Sequence, residues 1–262
     1  MEKITIIIRY LKHWLGSVNE HGVHSPFLFK LITEGVYRKQ SHSSWKKLEA
    51  IRTQLLADKT ALDVTDLGAG SLSDGKPTQR KVSFICRSFA KSPRLCRVLF
   101  KIVHHLKPNH ILELGTSLGM STMYLASANP EAQVTTIEGC PNTAAIANHN
   151  FKVAGINNIE SLTGDFGQVL PTWLAGIKDL ELVYIDGNHT YEATLNYFHM
   201  LSQYANAKTV IIFDDIHWSK GMEQAWREIH KDQRVTMSVD MFHFGMVFFD
   251  NRFSKEHFKI RI

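Results

Sequence analysis

The chain has 262 residues, of which 44% are hydrophobic and 21% charged, and its formal net charge is +5. This length allows one large domain with an appendage, and the composition is that of a globular protein rather than a disordered or fibrous one. Its three cysteines lack CxxC spacing, which argues against a disulfide framework and a zinc knuckle. No stretch reaches the ~20 apolar residues that span a bilayer, and no cleavage site comes after the apolar run Ile4–Ile8, so we expect a cytoplasmic protein.

Residues 1–107 lack regular strand alternation and are expected to form a helical extension. Their segment Asp66–Arg80 is rich in Gly, Ser, Asp and Pro, which favours a mobile loop. At Ser25, a side chain that can cap exposed amides precedes a proline, which loses no hydrogen bond at the first helical position. Helices are predicted over Glu2–Leu15, from Ser25 to about Tyr37, and over Pro93–Leu106.

Residues 108–262 alternate short apolar runs with helical segments, which is typical of a parallel sheet with crossover helices. Strands are predicted at His110–Leu114, Gln133–Glu138, Ile159–Thr163, Leu180–Ile185 and Thr209–Phe213. Helices are predicted near Ser121–Ala128, Thr143–Ala154, Tyr191–Ala205 and Gly221–Lys231. Val235–Val239 and Phe242–Phe249 are separated too briefly for a crossover and should pair as an antiparallel hairpin. The expected fold is doubly wound α/β.

A glycine turn comes directly after the first of these strands. Gly115 and Gly119 lie where the strand turns into a helix, and their missing side chains let a ligand approach the backbone. Such a turn alone more commonly reflects tight strand-to-helix packing. Glu138 ends the next strand, where a carboxylate can accept hydrogen bonds from both ribose hydroxyls of a nucleoside. Together the turn and Glu138 predict a nucleoside site.

The pattern Glu-x-Gly-x-x-x-Gly at Glu113–Gly119 lacks the middle glycine of dinucleotide-binding turns, which disfavours a pyrophosphate. It resembles the first motif of class I S-adenosylmethionine-dependent methyltransferases, and the resemblance covers roughly residues 108–262. It implies a Rossmann-like, seven-stranded, mostly parallel sheet with an antiparallel last strand, a ribose contact at Glu138 and an adenine contact at Asp165. The cofactor-binding residues expected are Glu113, Gly115, Thr116, Ser117, Gly119, Glu138, Gly164, Asp165 and Asp186.

A second segment, Asp66–Gly70, also looks like a methyltransferase first motif. No apolar strand ending in an acid occurs ~20 residues after it, because a polar loop and then a helix occupy that part of the sequence. We therefore interpret Asp66–Gly70 as a loop, with a lid over the site as one role open to it.

Two further predicted strands end in acids, at Asp186 and at the pair Asp214-Asp215. Ligands of an open α/β sheet lie outside the carboxyl ends of its strands, so we expect these three carboxylates to converge. A buried cluster of acids must be protonated, paired with cations or bound to a metal, and all-oxygen sites suit Mg²⁺.

The arrangement resembles the catechol O-methyltransferase branch of the family, in which an Asp after the fourth strand and an Asp-Asn pair after the fifth bind Mg²⁺. This implies Asp186, Asp214 and Asp215 as metal ligands. Two positions depart from the pattern, because the Asn is Asp215 here and the Lys that serves as base is His189. Histidine can take that role, since its ordinary pKa lies near neutrality. The alternative, in which Asp186 and Asp214 cap helices and His189 bonds a neighbour, stays open.

These residues predict transfer of a methyl group from S-adenosylmethionine to the hydroxyl of a small molecule, with Asp186 and His189 as catalytic residues and Mg²⁺ as an optional aid. His217 and Trp218 are candidates to line the acceptor pocket, although packing explains Trp218 equally well. The alternatives are a non-catalytic nucleoside-binding or protein-interaction module and a nicotinamide-dependent oxidoreductase. A nucleic-acid acceptor is disfavoured because no basic stripe with interleaved aromatics occurs. Two questions stay open, namely whether the N-terminal helices cover the cofactor and whether the protein forms a homodimer.

Overall fold

The computed structural model describes residues 2–65 and 78–262. The rival glycine motif Asp66–Gly70 and most of the predicted loop Asp66–Arg80 lie outside the described residues, so the lid stays a prediction. None of the described helices combines the length and the apolar character needed to cross a membrane.

Ten α-helices and ten β-strands occur in the described part of the chain. The helices are α1 (Glu2–Gly16), α2 (Pro26–Lys30), α3 (Ser43–Ala57), α4 (Val82–Ser88), α5 (Pro93–Leu106), α6 (Met120–Ala128), α7 (Pro141–Ala154), α8 (Phe166–Gly176), α9 (Tyr191–Ser202) and α10 (Lys220–Ile229). The strands are β1 (Ala61–Val64), β2 (Thr78–Lys81), β3 (His110–Leu114), β4 (Gln133–Glu138), β5 (Ile159–Thr163), β6 (Leu182–Ile185), β7 (Val210–Asp214), β8 (Met237–Asp240), β9 (Phe244–Phe248) and β10 (Glu256–Lys259).

The chain divides into two compact units. The first unit consists of Met1–Tyr37 and Ile177–Ile262, and the second of Arg38–Gly176. The sequence predicted a different division, with an extension at residues 1–107 and a catalytic domain at residues 108–262. That division separates the chain by function, and it stays a prediction.

The first unit contains strands in the order β10-β8-β9-β7-β6. Strands β6 and β7 are parallel and α9 connects them, whereas β9 is antiparallel to both β7 and β8. The run Val210–Asp214 is buried throughout, and strands covered on both faces have no need of alternating polar residues. The predicted hairpin near the C-terminus is confirmed by the antiparallel pair β8 and β9.

The second unit contains the parallel strands β3, β4 and β5 in that order, with α6 and α7 as their crossover connections. Eight of the nine residues of α6 are buried, as expected for a helix that is apolar on all sides. The N-cap of helix α5 is Ser92, whose side chain accepts a hydrogen bond from the Leu95 amide. The C-cap is Lys107, which has a left-handed φ of 50° and directly precedes Pro108.

The expected α/β class is confirmed, because helices flank a mostly parallel sheet. Within the described residues this sheet has eight strands, which corrects the expected seven. The added strand β10 runs parallel to β8. Its segment Glu256–Lys259 buries only Phe258, so the sequence contains no apolar run there from which a strand would be predicted.

The helical extension also needs correction, because β1 and β2 form an antiparallel hairpin within it. The segment Thr78–Lys81 contains no apolar side chain, so its sequence gives no strand signal. Helix α8 was not predicted either, since it contains Pro171, and proline removes a hydrogen bond from a helix interior. The helix predicted from Ser25 starts there, but it passes into a π-helical turn at Leu31–Val36.

Candidate functional site

The glycine turn between β3 and α6 is a strained, closely packed loop of the second unit. Gly115 has a φ of 104°, and its amide donates to the carbonyl of Ile137 at 3.0 Å. Ser117 and Gly119 also have positive φ angles, 49° and 80°. A Cβ at Gly119 would lie 2.5 Å from Cε1 of Phe151. Gly119 is therefore required by packing against α7 as well as by its backbone conformation.

Glu113 lies in the interior beneath this turn. Its carboxylate is fully buried, and Oε2 accepts hydrogen bonds from the hydroxyls of Thr122 and Thr136. The Thr136 hydroxyl also lies 2.6 Å from that of Thr116 in the turn. A buried carboxylate needs such donors, so Glu113 fixes the turn to α6 and β4 from the inside.

Glu138 closes the other side of the turn. Its Oε2 accepts from the Ser117 amide at 2.6 Å, and its Oε1 accepts from the Cys140 amide at 2.9 Å. Burial raises the pKa of Glu138, although the hydrogen bonds from Cys140, Ser117 and Thr143 act in the opposite direction. The structure thus brings together Glu138 and the glycine turn, as the sequence predicted.

Gly164 and Asp165 come directly after the neighbouring strand β5. The Gly164 amide donates to the carbonyl of Glu138 at 2.9 Å, and a Cβ at Gly164 would lie 2.8 Å from Cγ2 of Val169. Asp165 is exposed, and its carbonyl accepts from the Val169 amide at 2.9 Å as α8 begins. Both residues therefore lie on the Glu138 side of the second unit.

The first unit contains a group of two carboxylates and an imidazole. Asp186, His189 and Asp214 each offer one atom that could bind a metal, and these atoms lie within 4.8 Å of one another. Nε2 of His189 is 3.4 Å from Oδ1 of Asp186. The buried Tyr184 donates from its hydroxyl to Oδ2 of Asp186 at 2.9 Å. We name Asp186, His189 and Asp214 the acid–histidine group.

The loop after β6 gives His189 its position. Asn188 has a left-handed φ of 50°, and Thr190 is the N-cap of α9, since its side chain accepts from the Ala193 amide at 3.3 Å. Ser219 caps α10 in the same way. Because other residues cap both helices, Asp186 and Asp214 are not the helix caps considered from the sequence.

Asp215 is placed differently from Asp214. Its φ is 49°, its amide donates to the carbonyl of His243, and its carbonyl accepts from the Trp218 amide, both at 2.8 Å. In the part of the chain that the structure describes, the acid–histidine group does not include Asp215. The structure therefore brings together two of the three predicted metal ligands and adds His189 to them.

His217 belongs to a partly buried cluster of ionisable residues. Its Nε2 lies 2.9 Å from Oδ2 of Asp240, and its Nδ1 lies 3.2 Å from Oε1 of Glu223. Arg9 pairs with Glu223 at 3.1 Å, and His13 pairs with Asp240 at 3.0 Å. We name these five residues the His217 cluster. Its contacts hold His217 in the cluster, whereas its neighbour Trp218 is 59% exposed and does not serve as core packing.

The charges of the cluster shift the pKa values of its members. Burial alone would lower the pKa of His217, but the contacts with Asp240 and Glu223 outweigh it and leave that pKa raised. Burial alone would raise the pKa of Asp240, but His13 and His217 together hold it well below its usual range. Asp240 is thus stabilised as a carboxylate by two imidazoles.

Comparison with known proteins gives the same family as the sequence motif. A family model described as a methyltransferase domain matches residues 112–216. The chain is 31% identical over 113 residues to the O-methyltransferase imqG of Aspergillus flavus, which covers 41% of this chain and 45% of that protein. It is 28% identical over 128 residues to a catechol O-methyltransferase of Niastella koreensis, which covers 48% of this chain and 57% of that protein. The chain spans about half the length of these curated relatives.

A solved structure of an O-methyltransferase from Bacillus cereus, in complex with SAH, shares the fold. It covers 81% of this chain and 93% of that one, with a TM-score of 0.57 and 19% identity. The family match contains the glycine turn, Glu138 and the acids of both late strands. Residues 112–216 are therefore similar to the methyltransferase domain, and the curated relatives named above are O-methyltransferases. These findings support the predicted resemblance to class I S-adenosylmethionine-dependent methyltransferases of the O-methyltransferase branch.

Three features of this structure were missed from its sequence. Tyr184 bonds Asp186, and a strand period of two would have placed both side chains on one face. Thr136 supports Glu113 from the next strand, which no local pattern reveals. The carbonyl of Asp63 in the β1-β2 hairpin accepts from the Asn142 side chain at 2.7 Å, so the hairpin contacts the start of α7.

The His217 cluster makes the stability of the protein depend on pH. The stabilisation from the raised pKa of His217 is complete below its unfolded value of 6.5 and is lost as pH rises through the folded value. The stabilisation from the lowered pKa of Asp240 is complete above the unfolded pKa of 3.8, and it is lost as pH falls towards the folded pKa. Both contributions are therefore present between these two unfolded values.

We expect Asp240→Asn to lower the free energy of unfolding by about 3 kcal/mol at pH 5.5, because it leaves buried imidazoles without their counter-charge. The loss should shrink at pH 9, because the stabilisation from the raised pKa of His217 is lost as pH rises through that pKa. Denaturant unfolding at the two pH values measures this. Asp232→Asn is the control, because Asp232 forms a more exposed pair with Arg234 that contributes at most about 1 kcal/mol. Equal losses in the two variants would contradict the assignment.

Proposed function

We propose that this methyltransferase transfers the methyl group of S-adenosylmethionine to the hydroxyl of a small molecule. The observation that carries the proposal is the acid–histidine group, in which His189 contacts Asp186 while Tyr184 fixes Asp186. A histidine oriented by a carboxylate is a recurrent general base. The names of the relatives, O-methyltransferase and catechol O-methyltransferase, support hydroxyl oxygen as the methyl acceptor.

Glu138 is the residue we assign to the ribose of the cofactor. Its raised pKa means that burial costs its charged form more than the present hydrogen bonds return. Two ribose hydroxyls that donate to the carboxylate would offset this cost, so the residue fits a nucleoside. When bound, S-adenosylmethionine supplies an electrophilic methyl group on a sulfonium.

The other predicted cofactor contacts take different parts in the proposal. The backbone of Gly115, Thr116 and Ser117 forms the turn that a nucleoside would approach. Glu113 is buried, so we assign it to positioning of the turn rather than to direct contact. Asp165 is exposed beside Gly164 and is assigned to the adenine. The contact of Asp186 with the cofactor stays a prediction.

Replacement of Glu138 tests the cofactor site. We expect Glu138→Ala to weaken S-adenosylmethionine binding about 100-fold, since each of two lost hydrogen bonds to a charged group contributes about 1.5 kcal/mol or more. Isothermal titration calorimetry measures the affinity. The control is Glu131→Ala, because Glu131 is exposed at the opposite end of β4 and should bind as the parent does. Unchanged affinity of Glu138→Ala would exclude the proposed ribose contact.

The base step rests on the His189–Asp186 contact. When Nε2 of His189 carries its proton towards Asp186, Nδ1 is left to accept the proton of the acceptor hydroxyl. The hydroxyl oxygen would bond to the methyl carbon as the bond from that carbon to the sulfonium sulfur breaks, so that S-adenosylhomocysteine would leave. The charge that develops on the imidazole would be stabilised by Asp186. Alignment of oxygen and methyl carbon supplies much of the rate.

We expect His189→Ala to reduce the transfer rate about 100-fold or more while the affinity for S-adenosylmethionine is retained, because it removes only the base. Transfer of labelled methyl groups to a panel of small-molecule alcohols and phenols measures the rate. His149→Ala replaces an exposed histidine on α7 and should keep full activity. A parent protein that binds the cofactor and methylates no acceptor would favour the non-catalytic nucleoside-binding module instead.

Divalent-metal assistance is the second form of the proposal. Asp186, Asp214 and His189 would hold the ion, which would supply a Lewis acid that lowers the pKa of the acceptor hydroxyl. One imidazole with two carboxylates suits Mn²⁺ better than Mg²⁺, which prefers oxygen ligands. The imidazole nitrogen that binds a metal cannot also accept the proton. His189 as the base and His189 as a metal ligand therefore predict different results when metal is removed.

Chelation separates the two forms. With His189 as the base, protein dialysed against a chelator should keep its transfer rate, and added Mn²⁺ or Mg²⁺ should not change it. Rates before dialysis, after dialysis and after metal addition measure this. The contrary outcome is that dialysis abolishes activity and that Mn²⁺ restores it in the parent but not in Asp214→Asn. That result would contradict His189 as the base and support metal assistance. The proposal also includes a small molecule as the methyl acceptor, a cytoplasmic location and a homodimer.

A further inference from the structure

Helix α1 has the reverse of the usual arrangement of polar and apolar faces. His13 and Ser17 are buried, and the side chain of Arg9 is 13% exposed, so positions spaced by four residues place polar groups inward. The outward face is apolar. Its members are Ile7, Ile8, Tyr10, Leu11, Trp14 and Leu15, together with Val18 just beyond the end of the helix, and they are 38–76% exposed. We name these seven residues the α1 stripe.

The polar contacts of α1 fix this orientation. Arg9 donates to the carbonyls of His217 and Trp218, at 3.2 and 3.1 Å, in addition to its pair with Glu223. His13 contacts Asp240, and the Tyr10 ring lies 5.0 Å from that of Phe242 in an edge-on arrangement. Rotation of α1 to bury the stripe would remove Arg9 from Glu223 and His13 from Asp240, and the loss of a partner is strongly unfavourable for the buried carboxylate of Asp240.

A contiguous apolar surface of this kind is uncommon on a soluble protein and marks a contact site. The charges beside it indicate what it contacts. Residues 5–18 contain no acidic side chain, whereas Lys12 is exposed on the helix and Arg261 lies over the Trp14 ring at 5.1 Å. Two copies that met through their stripes would therefore bring cations towards cations. An anionic surface would complement them.

The shape of the stripe agrees with a flat partner. It lies along the convex side of a helix that is about 22 Å long at 1.5 Å per residue, rather than in a groove. Trp and Tyr favour the boundary between hydrocarbon and water, and basic side chains beside an apolar face are typical of helices that lie in a membrane interface. The chain also carries a net charge of +5.

We propose that the α1 stripe docks this protein on the surface of a membrane that contains anionic lipids, with α1 parallel to the surface. The docking is peripheral, since the apolar side chains reach only the boundary of the hydrocarbon. It does not depend on the proposed methyl transfer, because it rests on α1 and its contacts alone.

Vesicle binding of the full chain tests the proposal. We expect the protein to sediment with phosphatidylcholine vesicles that contain phosphatidylglycerol, and more weakly with phosphatidylcholine alone. Leu11→Glu and Leu15→Glu should each lower the partition coefficient at least about 10-fold, because each removes an apolar contact and adds an anion. Lys12→Gln should lower it about 5-fold on the anionic vesicles only.

The matched control is Val153→Glu, which places the same charge at a 44% exposed apolar residue of α7. It should bind vesicles as the parent does. Unchanged circular dichroism and melting temperature in all variants would show that folding is intact. A blue shift of tryptophan emission on the vesicles that disappears in Trp14→Phe would place α1 at the lipid.

Two results would overturn the proposal. One is vesicle binding that survives Leu11→Glu and Leu15→Glu, or that falls equally in Val153→Glu. The other is a parent protein that does not bind vesicles but forms a dimer in light scattering, which Leu15→Glu dissociates. That outcome would assign the stripe to a second copy of the chain.

Discussion

Burial of the Asp240 carboxylate is the constraint on which the arrangement of the first unit depends. A carboxylate that is 1% exposed requires positive or strongly donating partners, and His13 and His217 supply them from opposite ends of the sequence. His217 also continues the loop that begins at Asp214, so the pairing restrains the segment that leads away from the acid–histidine group. Because His13 must point inward, the apolar side of α1 must point outward. One buried charge thus links the loop after β7 to an exposed surface.

In the second unit two glutamates contact the glycine turn from different sides. Glu113 is sealed beneath it and satisfied by threonine hydroxyls, whereas Glu138 borders it and keeps a raised pKa. The first is a structural carboxylate, and the second is the one we propose for the ribose. Glu113 belongs to the motif and shapes the turn, whereas Glu138 ends the next strand and borders the turn from there.

The sequence predicted the parts of the fold whose signals are local. β3, β4 and β5 have the predicted limits, because each is a short run that ends at a turn or an acid. β10 and the β1-β2 hairpin were missed because their pairing partners, rather than their own side chains, make them strands. In the site, Asp186 and Asp214 were predicted from strand ends. The different placement of Asp215 depends on a left-handed backbone angle, and the inverted faces of α1 depend on a partner more than 200 residues away.

The discontinuous first unit has a consequence for biosynthesis. Arg38–Gly176 is one continuous stretch, so the second unit is complete as soon as it leaves the ribosome. Helix α1 is made before the second unit, yet the carboxylates of Glu223 and Asp240 that hold it are made more than 200 residues after it. Throughout that interval Arg9 and His13 are without the two acids that orient the helix. The native orientation of α1 can therefore form only after the second unit has been translated.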